Sequence, residues 1–505
     1  MKHTPCLLLV ILALFIMPFA GAAPAEHTLV IVIDGLRPDY IQPELMPALH
    51  KLKSTGTYFS NHHSVFPTVT RVNSTSISTG CYPAKHGVMG NTVYFPEVDP
   101  KRGLNTGDYK NLIAIDEATG GNLVTAKTTG EYLQDAGKKL VAVSSGSTGS
   151  AFLLNHKISG GALLQNEVTL PESLTGMVED ILGPPAEDGY PSKAKVSRCA
   201  DAYLKIAIDK LDADVVYMWL TDPDHTAHRY GIGHPTSNES IKHVDDTLQI
   251  ILNGLKVRDM LDSTNIMITA DHGFSTYAGT GNPLFTLRDI IRELRLNPND
   301  VIQVGTAIYL QGEAKQQQSA FAAKLLTTDW VGAVFSAPES PGSSRGLYPG
   351  TLSTELIHWN HDRSGQILFS ADWDDSENEF GYKGASLLKA GGAGHGSSSA
   401  WDIHIPLIAH GPAFQSGVVM STPSSNVDLA PTALHLQGLP YPETMDGRIL
   451  SEAFTGAAQV GEKAISQSTF GVTSSNDTGD QYVAVLEQAE YHGHAYVNQV
   501  KATRK

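Results

Sequence analysis

The stretch VIVIDGLRPDY, residues 30–40, opens with four β-branched aliphatic residues and breaks abruptly at Asp34 and Gly35. A short run of that composition reads as a strand buried on both faces. Similar runs recur at 28–33 (which contains it), 140–143, 215–220, 266–269 and 405–409. Between them lie longer helix-like stretches at 193–211, 239–255, 287–296 and 319–326. Alternation of this kind predicts an α/β fold, a mostly parallel sheet with helices on both faces.

In such a sheet the ligand site lies beyond the carboxyl ends of the strands. Three of the runs end in residues of metal-ligand type: Asp34 after the first, Asp222 and Asp224 after the third, Asp271 and His272 after the fourth. Any one of these could simply mark a turn; three on one edge point to a site. Asp224 and His228 are four apart, so a helical turn puts both on one face. His395 sits in GGAGHGSSS, whose glycines permit unusual backbone angles near a metal. The candidate ligands are therefore Asp34, Asp224, His228, Asp271, His272 and His395. Mixed carboxylate and imidazole donors favour zinc over magnesium or calcium.

Two ions about 3.5 to 4 Å apart would clamp the attacking and leaving oxygens of a phosphoryl displacement, and a nucleophile would lie between them. SVFPTVTRVNSTSISTG, residues 64–80, offers hydroxyls at Ser64, Thr68, Thr70, Ser74, Thr75 and Ser76. Composition alone does not choose among them.

The string FPTVTRVNSTSISTGCYPAKHGVMGN, residues 66–91, resembles the nucleophile segment of the nucleotide pyrophosphatase/phosphodiesterases of the alkaline phosphatase superfamily. TDPDHTAHRYG, ITADHGF and GHGSSS followed by IPLIAHGPAF are similar to that family's later metal motifs, and VDLAPTALHLQGLP with DGRIL resembles the superfamily's closing elements. The resemblance implies that Thr70 is the nucleophile and that Asn91 holds a phosphoryl oxygen. It also implies one zinc on Asp34, Asp271, His272 and Thr70, and a second on Asp224, His228 and His395. The implied reaction has two steps: Thr70 attacks phosphorus, then water hydrolyses the phosphothreonine. Both ions, Asn91 and the backbone N–H of Thr70 or Arg71 would stabilise the developing charge.

One departure bears on substrate. Animal nucleotide-cleaving members carry an aromatic residue after the nucleophile to stack the base, whereas this chain has Arg71. A guanidinium there suits a second phosphoryl oxygen, or else a structural ion pair. SSGSTGSAFLL, residues 144–154, where phosphomonoesterases would recruit further cations, contains none. That favours a phosphodiester or pyrophosphate substrate, with a phosphomonoesterase or phosphonate hydrolase as the rival. From another class, a metal-stabilised binding protein would lack turnover, and the complete ligand set argues against it.

Several neighbours read as structural. His62 and His63 precede an expected nucleophile strand and pack or face solvent; His86 belongs to a turn. Asp222, His225 and His234 flank the metal loop as candidates to orient its ligands. ADWDDSENEF, residues 371–380, lacks the glycine and spacing of an EF-hand. No Walker A loop occurs.

The wider sequence sets the organisation. Lys2 and His3, an apolar run over 7–19 and small residues at 20–23 read as a secretory signal peptide, residues 1–23. Its core is shorter than the roughly 20 residues of a spanning helix, so the expectation is an exported protein, periplasmic or secreted, with no transmembrane anchor after cleavage. Residues 27–455 are expected to form the catalytic domain, with 284–392 an inserted cap and 456–505 a C-terminal extension contributing edge strands. Beyond Cys6 only Cys81 and Cys199 remain, too few for a disulfide scaffold. A net charge of -16 argues against stable binding to a nucleic-acid polymer and calls for local positive charge at any phosphate site. The expected partner is a small phosphorylated substrate; oligomeric state is not legible.

Overall fold

A computed structural model describes residues 26–458, 460–461, 464–475 and 479–505. The expected signal peptide, 1–23, lies outside the described residues. The central sheet is built from β1 (His27–Ile33), β2 (Thr57–His63), β3 (Leu140–Ser144), β4 (Ala162–Gln165), β5 (Thr169–Leu170), β6 (Val215–Leu220), β7 (Thr264–Thr269), β8 (His404–His410), β9 (Val418–Met420) and β10 (Ser424–Ser425). Across the sheet the order is β9-β2-β8-β7-β1-β6-β3-β4-β5, with β10 also on β2.

The strand carrying Asp34 occupies the middle. β1 runs parallel to β6 and β7, with Ile31 opposite Met218 on one side and Ile268 on the other. Its side chains alternate between two cores. Leu29, Ile31 and Ile33 pack with Val196, Tyr203, Ile241 and Leu248 on one face. Val30 and Val32 pack with Ile77, Leu153, Leu429 and Leu434 on the other. Helices thus cover both faces; removing one such buried aliphatic side chain costs about 2 to 5 kcal/mol. Helices form at α1 (Thr70–Thr79), α2 (Lys193–Asp201), α3 (Asp224–Tyr230) and α4 (Pro235–Val257) and at Pro283–Glu293 and Gln318–Leu326; α1 and α3 lie outside the four helix-like stretches of the sequence.

β8 departs from the parallel expectation and runs antiparallel to both β7 and β2. An apolar run encodes burial but no direction. The chain re-enters the sheet beside the carboxyl end of β2, where Ser64 N–H donates to Ile403 O at 2.8 Å, so β8 can only run back.

Between β7 and β8 the chain builds a second layer with its own core around Phe335, Trp359 and Leu368. Strands Val301–Val304, Ala307–Leu310, Val331–Ser336, Leu352–Ser353 and Ile367–Ala371 form one sheet. Trp373–Glu377 and Lys383–Lys389 join Ser275–Gly279 and Gly392–Gly394 in another, so this layer begins before residue 284. The tail does not add edge strands to the central sheet. Ile465–Ser475, Gln481–Tyr491 and His494–Arg504 make an antiparallel sheet of their own, whose Tyr482, Leu486 and Val500 join the same core. Cys81 and Cys199 are buried and unpaired.

Candidate active site

Because β1, β6 and β7 are parallel and in register, their carboxyl ends open on one edge. Asp34 follows β1, Asp224 comes four residues after β6, and Asp271 two residues after β7. Two backbone hydrogen bonds close the first two together: Asp34 N–H to Leu220 O at 2.9 Å and Asp224 N–H to Asp34 O at 3.0 Å. Gly35 N–H donates to Asp271 Oδ1 at 3.1 Å. Gly35 takes a positive φ of 73°, and a Cβ there would press on Asp224 Cβ at 3.1 Å, so this turn requires glycine.

The six expected ligands converge. His228 Nε2 lies 3.2 Å from Asp224 Oδ1, His395 Nε2 3.4 Å and His272 Nε2 4.0 Å from the same oxygen. His272 Nε2 is also 3.0 Å from Asp271 Oδ2 and 3.5 Å from Asp34 Oδ1. The donors fall into two overlapping groups, Asp224 with His228 and His395, and Asp224 with Asp34 and His272. Asp224 therefore stands between the two, and Asp271 borders the second through His272.

Two observations show that these residues suit metal. First, all three imidazoles commit Nδ1 to a backbone carbonyl: His228 to Ala393 O at 3.0 Å, His272 to Gly273 O at 2.9 Å, His395 to Thr68 O at 2.8 Å. Each ring is thus fixed with its Nε2 lone pair toward the centre. Second, Asp34 Oδ1, Asp224 Oδ1 and Asp271 Oδ2 are buried without a hydrogen-bond partner, a costly state unless a cation occupies the space between them. Tetrahedral ligands on bonds of about 2.0 to 2.1 Å lie about 3.3 Å apart, which matches the separations above.

Electrostatics follow from the crowding. Burial, then Asp271 and Asp224, pushes the Asp34 carboxyl well above its ordinary range. Burial acts the same way on Asp224, but the imidazoles, His228 foremost, outweigh it and hold that carboxyl low. Burial opposes charging of His272 and His228, yet Asp271 and Asp224 respectively raise them. Burial and the neighbouring His272 push His395 well down; the two rings stack with centroids 3.3 Å apart.

Thr70 is the first residue of α1, a helix start rather than the strand expected there. Its Oγ1 is buried and 3.5 Å from His272 Nε2. The amino end of the helix adds partial positive charge at this oxygen. Asn91 Oδ1 accepts the Arg71 backbone N–H at 2.9 Å. That N–H is therefore spent, leaving the Thr70 N–H as the one of the two expected backbone donors still available. The Arg71 side chain is half-buried, and its Nε is buried without a hydrogen-bond partner among the described residues. With Asp34, Thr70 and Asp224 it lines a polar cleft of about 370 Å³, completed by Ser145, Ser147, Thr148 and His225. Lys195 reaches the same cleft from α2, a cation supplied from outside residues 144–154. Its ammonium pairs with Asp188 at 2.7 Å and Glu167 at 3.7 Å.

The residues read as structural behave variously. His62 and His63 end β2 and are buried; His86 bonds Ser76 Oγ of α1 at 3.1 Å. Asp222 accepts from Ser192 N–H and from the Thr226 N–H and hydroxyl, fixing the entry to α3. His225 stacks on Tyr190 with centroids 4.4 Å apart, and His234 caps α4.

Sequence reading missed three supports. Trp219 Nε1 donates to Asp34 Oδ2 at 2.9 Å from within an apolar strand that gives no sign of it. Asp402 accepts from Ser275 Oγ at 2.6 Å and from Ser397 N–H and Oγ at 2.9 and 2.6 Å, tying the His395 loop to the neighbouring sheet. The C-terminal sheet secures that loop again, Val500 N–H donating to Ser398 O at 2.9 Å.

Comparison with known proteins agrees with this arrangement. The family model described as type I phosphodiesterase / nucleotide pyrophosphatase matches residues 28–376. Venom phosphodiesterase 2 of Crotalus adamanteus is 28% identical over 246 residues, 48% of this chain and 26% of that protein. The match thus spans about a quarter of that relative's length. Among solved structures, murine ectonucleotide pyrophosphatase / phosphodiesterase 5, an inactive threonine-to-alanine variant in complex with AMP, superposes with a TM-score of 0.60 at 18% identity, covering 85% of this chain and 100% of that one. A variant of alkaline phosphatase PafA superposes with a TM-score of 0.64 at 16% identity, over 86% and 99% of the two chains. The central sheet and its covering helices are therefore an alkaline-phosphatase-like fold, and the chain belongs to the type I phosphodiesterase / nucleotide pyrophosphatase family.

Proposed function

We propose that this chain hydrolyses phosphodiester or pyrophosphate bonds in nucleotide-like or other small phosphodiesters, using Thr70 as nucleophile at a two-zinc site. The observation that carries the reading is the convergence of three oriented Nε2 atoms and three unpartnered carboxylate oxygens, one of those Nε2 atoms, that of His272, lying 3.5 Å from Thr70 Oγ1. Zinc bound there would supply the positive charge that favours the Thr70 alkoxide and offsets charge on the phosphoryl group. Thr70 Oγ1 forms a bond to phosphorus while the bond to the leaving alcohol or phosphate breaks. Water then attacks the phosphothreonine, releasing the monoester and restoring the hydroxyl. Asn91 presents its Nδ2 to a phosphoryl oxygen, its Oδ1 being fixed by Arg71 N–H. Arg71 faces the retained group from the polar cleft. The structural relative that holds AMP in a threonine-to-alanine variant supports both the nucleophile and a nucleotide-like substrate.

In this reading residues 27–455 are the catalytic unit, 284–392 its cap and 456–505 an extension bracing the His395 loop, all outside the cytoplasm after export. A phosphomonoesterase reading draws on Lys195 as a second cation in the cleft, but its ion pairs with Asp188 and Glu167 already offset that charge. Turnover of an aryl phosphodiester, an aryl phosphomonoester and a dinucleotide by zinc-loaded protein separates the two. The diester or dinucleotide should be preferred, and a strong preference for the monoester would overturn the proposal.

A further inference from the structure

A second cavity opens on the other side of the site, between the central sheet and the cap. It encloses about 220 Å³, and apolar side chains dominate its wall: Val69, Met89, Tyr277, Trp330, Leu368 and Leu388. A cavity of about 150 Å³ with such a lining holds benzene, so this one has room for a substituted ring or a short branched chain but not for a nucleoside.

Its position relative to the ligands is the second observation. The cavity shares His395 and Asn91 with the site but touches neither Thr70 nor Asp34, both of which line the polar cleft instead. In an in-line displacement the leaving group departs on the side opposite the nucleophile, and His395, which the proposed function places in the group of ligands away from Thr70, is the ligand that borders this cavity. Third, no Lys or Arg lines the cavity. Its one carboxylate, Asp402, is occupied by Ser275 and Ser397. A phosphate-bearing leaving group would find no counter-charge there. The Tyr277 hydroxyl makes no hydrogen bond among the described residues and lies against Gly394, where a Cβ would come within 2.1 Å of it. Burial pushes its pKa up to about 12, so it stays a donor. Beyond the wall residue Pro283, Leu284 and Phe285 are 53% and 59% exposed and extend the apolar surface outward.

We infer that this cavity receives the leaving alcohol of the substrate and selects an uncharged aromatic or branched apolar one. The inference rests on the phosphodiesterase reading and narrows it from pyrophosphates toward diesters of apolar alcohols.

Thr306, half-buried in the hairpin turn at the cavity wall and not itself a ligand, is the position at which to fill it. The test compares the wild type with Thr306→Phe in two measurements. One is quenching of protein fluorescence by 4-nitrophenol, the other hydrolysis of thymidine 5′-(4-nitrophenyl) phosphate with thymidine monophosphate as inhibitor. The expected result is at least tenfold weaker nitrophenol binding and at least tenfold lower kcat/KM, with thymidine monophosphate inhibition unchanged. If the wild type binds nitrophenol, loses it on filling, yet turns over no diester, the phosphodiesterase reading fails and the cavity's affinity for an aromatic alcohol stands. Nitrophenol binding that is equal in both proteins, or inhibition by the monophosphate that shifts in step with it, overturns the inference.

Discussion

Asp402 offers the sharpest test of how the site is held. The carboxylate is 1% exposed and accepts three hydrogen bonds, one on Oδ1 from Ser275 and two on Oδ2 from Ser397. Burial raises its pKa, and those bonds oppose the rise. Asp402→Ala would strand three buried donors at about 1 to 3 kcal/mol each, partly relieved by water entering the vacated space, for a net loss of about 3 to 5 kcal/mol. Asp402→Asn keeps the shape. Its amide oxygen can serve Ser397, and the Ser275 hydroxyl can turn to accept from the new NH₂. That variant should lose only about 1 to 2 kcal/mol. Because the loop carries His395, zinc affinity should also fall, about 10- to 100-fold for alanine. Urea unfolding of the metal-free proteins and competition for zinc against a chromophoric chelator read both effects. Equal stability losses for the two variants, or an alanine variant with wild-type zinc affinity, would refute the argument that Asp402 positions the loop.

Trp219→Phe removes the donor to Asp34 Oδ2, a bond to a charged group worth about 1.5 to 3 kcal/mol; zinc should bind about 10- to 100-fold more weakly in the same competition assay, and unchanged affinity would dismiss Trp219 as a support. His86 is held down to about 3 by burial, then by His361 and Arg363. Its depressed pKa contributes stability that is fully present above the unfolded value of about 6.5 and is lost as pH falls toward the folded value. Between pH 6 and pH 4 the wild type should therefore lose stability more steeply than His86→Gln, by about 1.4 kcal/mol per pH unit; parallel profiles in urea titrations would contradict this.

The six candidate ligands were legible because four follow strands, His228 comes one helical turn after Asp224 and His395 sits in a glycine loop, and parallel register brings strand ends to one edge whatever the loops between them do. Asp34, Asp224 and Asp271 belong to that logic. The shared place of Asp224 between the two groups was not legible, since it depends on where α3 aims one carboxylate oxygen. The antiparallel sense of β8 was hidden for a related reason: apolar patterning reports burial, and direction comes from the path of the cap. β2 escaped notice because SNHH ends it in polar residues, whose burial depends on partners such as Ser424 and Asn426 far along the chain. Lys195 was not legible as a cleft residue because it comes from α2, far along the chain from residues 144–154. The tail sheet follows the same rule, since strands of ordinary alternation pair where the cap's core offers a surface.

In the proposed function two ions and one threonine hydroxyl share a centre built by these six side chains. Zinc analysis of purified wild type and Thr70→Ala, together with diester turnover of both, tests it most directly. About two zinc ions per chain are expected in the wild type and nearly as many in the variant, with turnover reduced at least about a thousandfold by the substitution. A wild type that retains no zinc after desalting, or a Thr70→Ala protein with full activity, would contradict it.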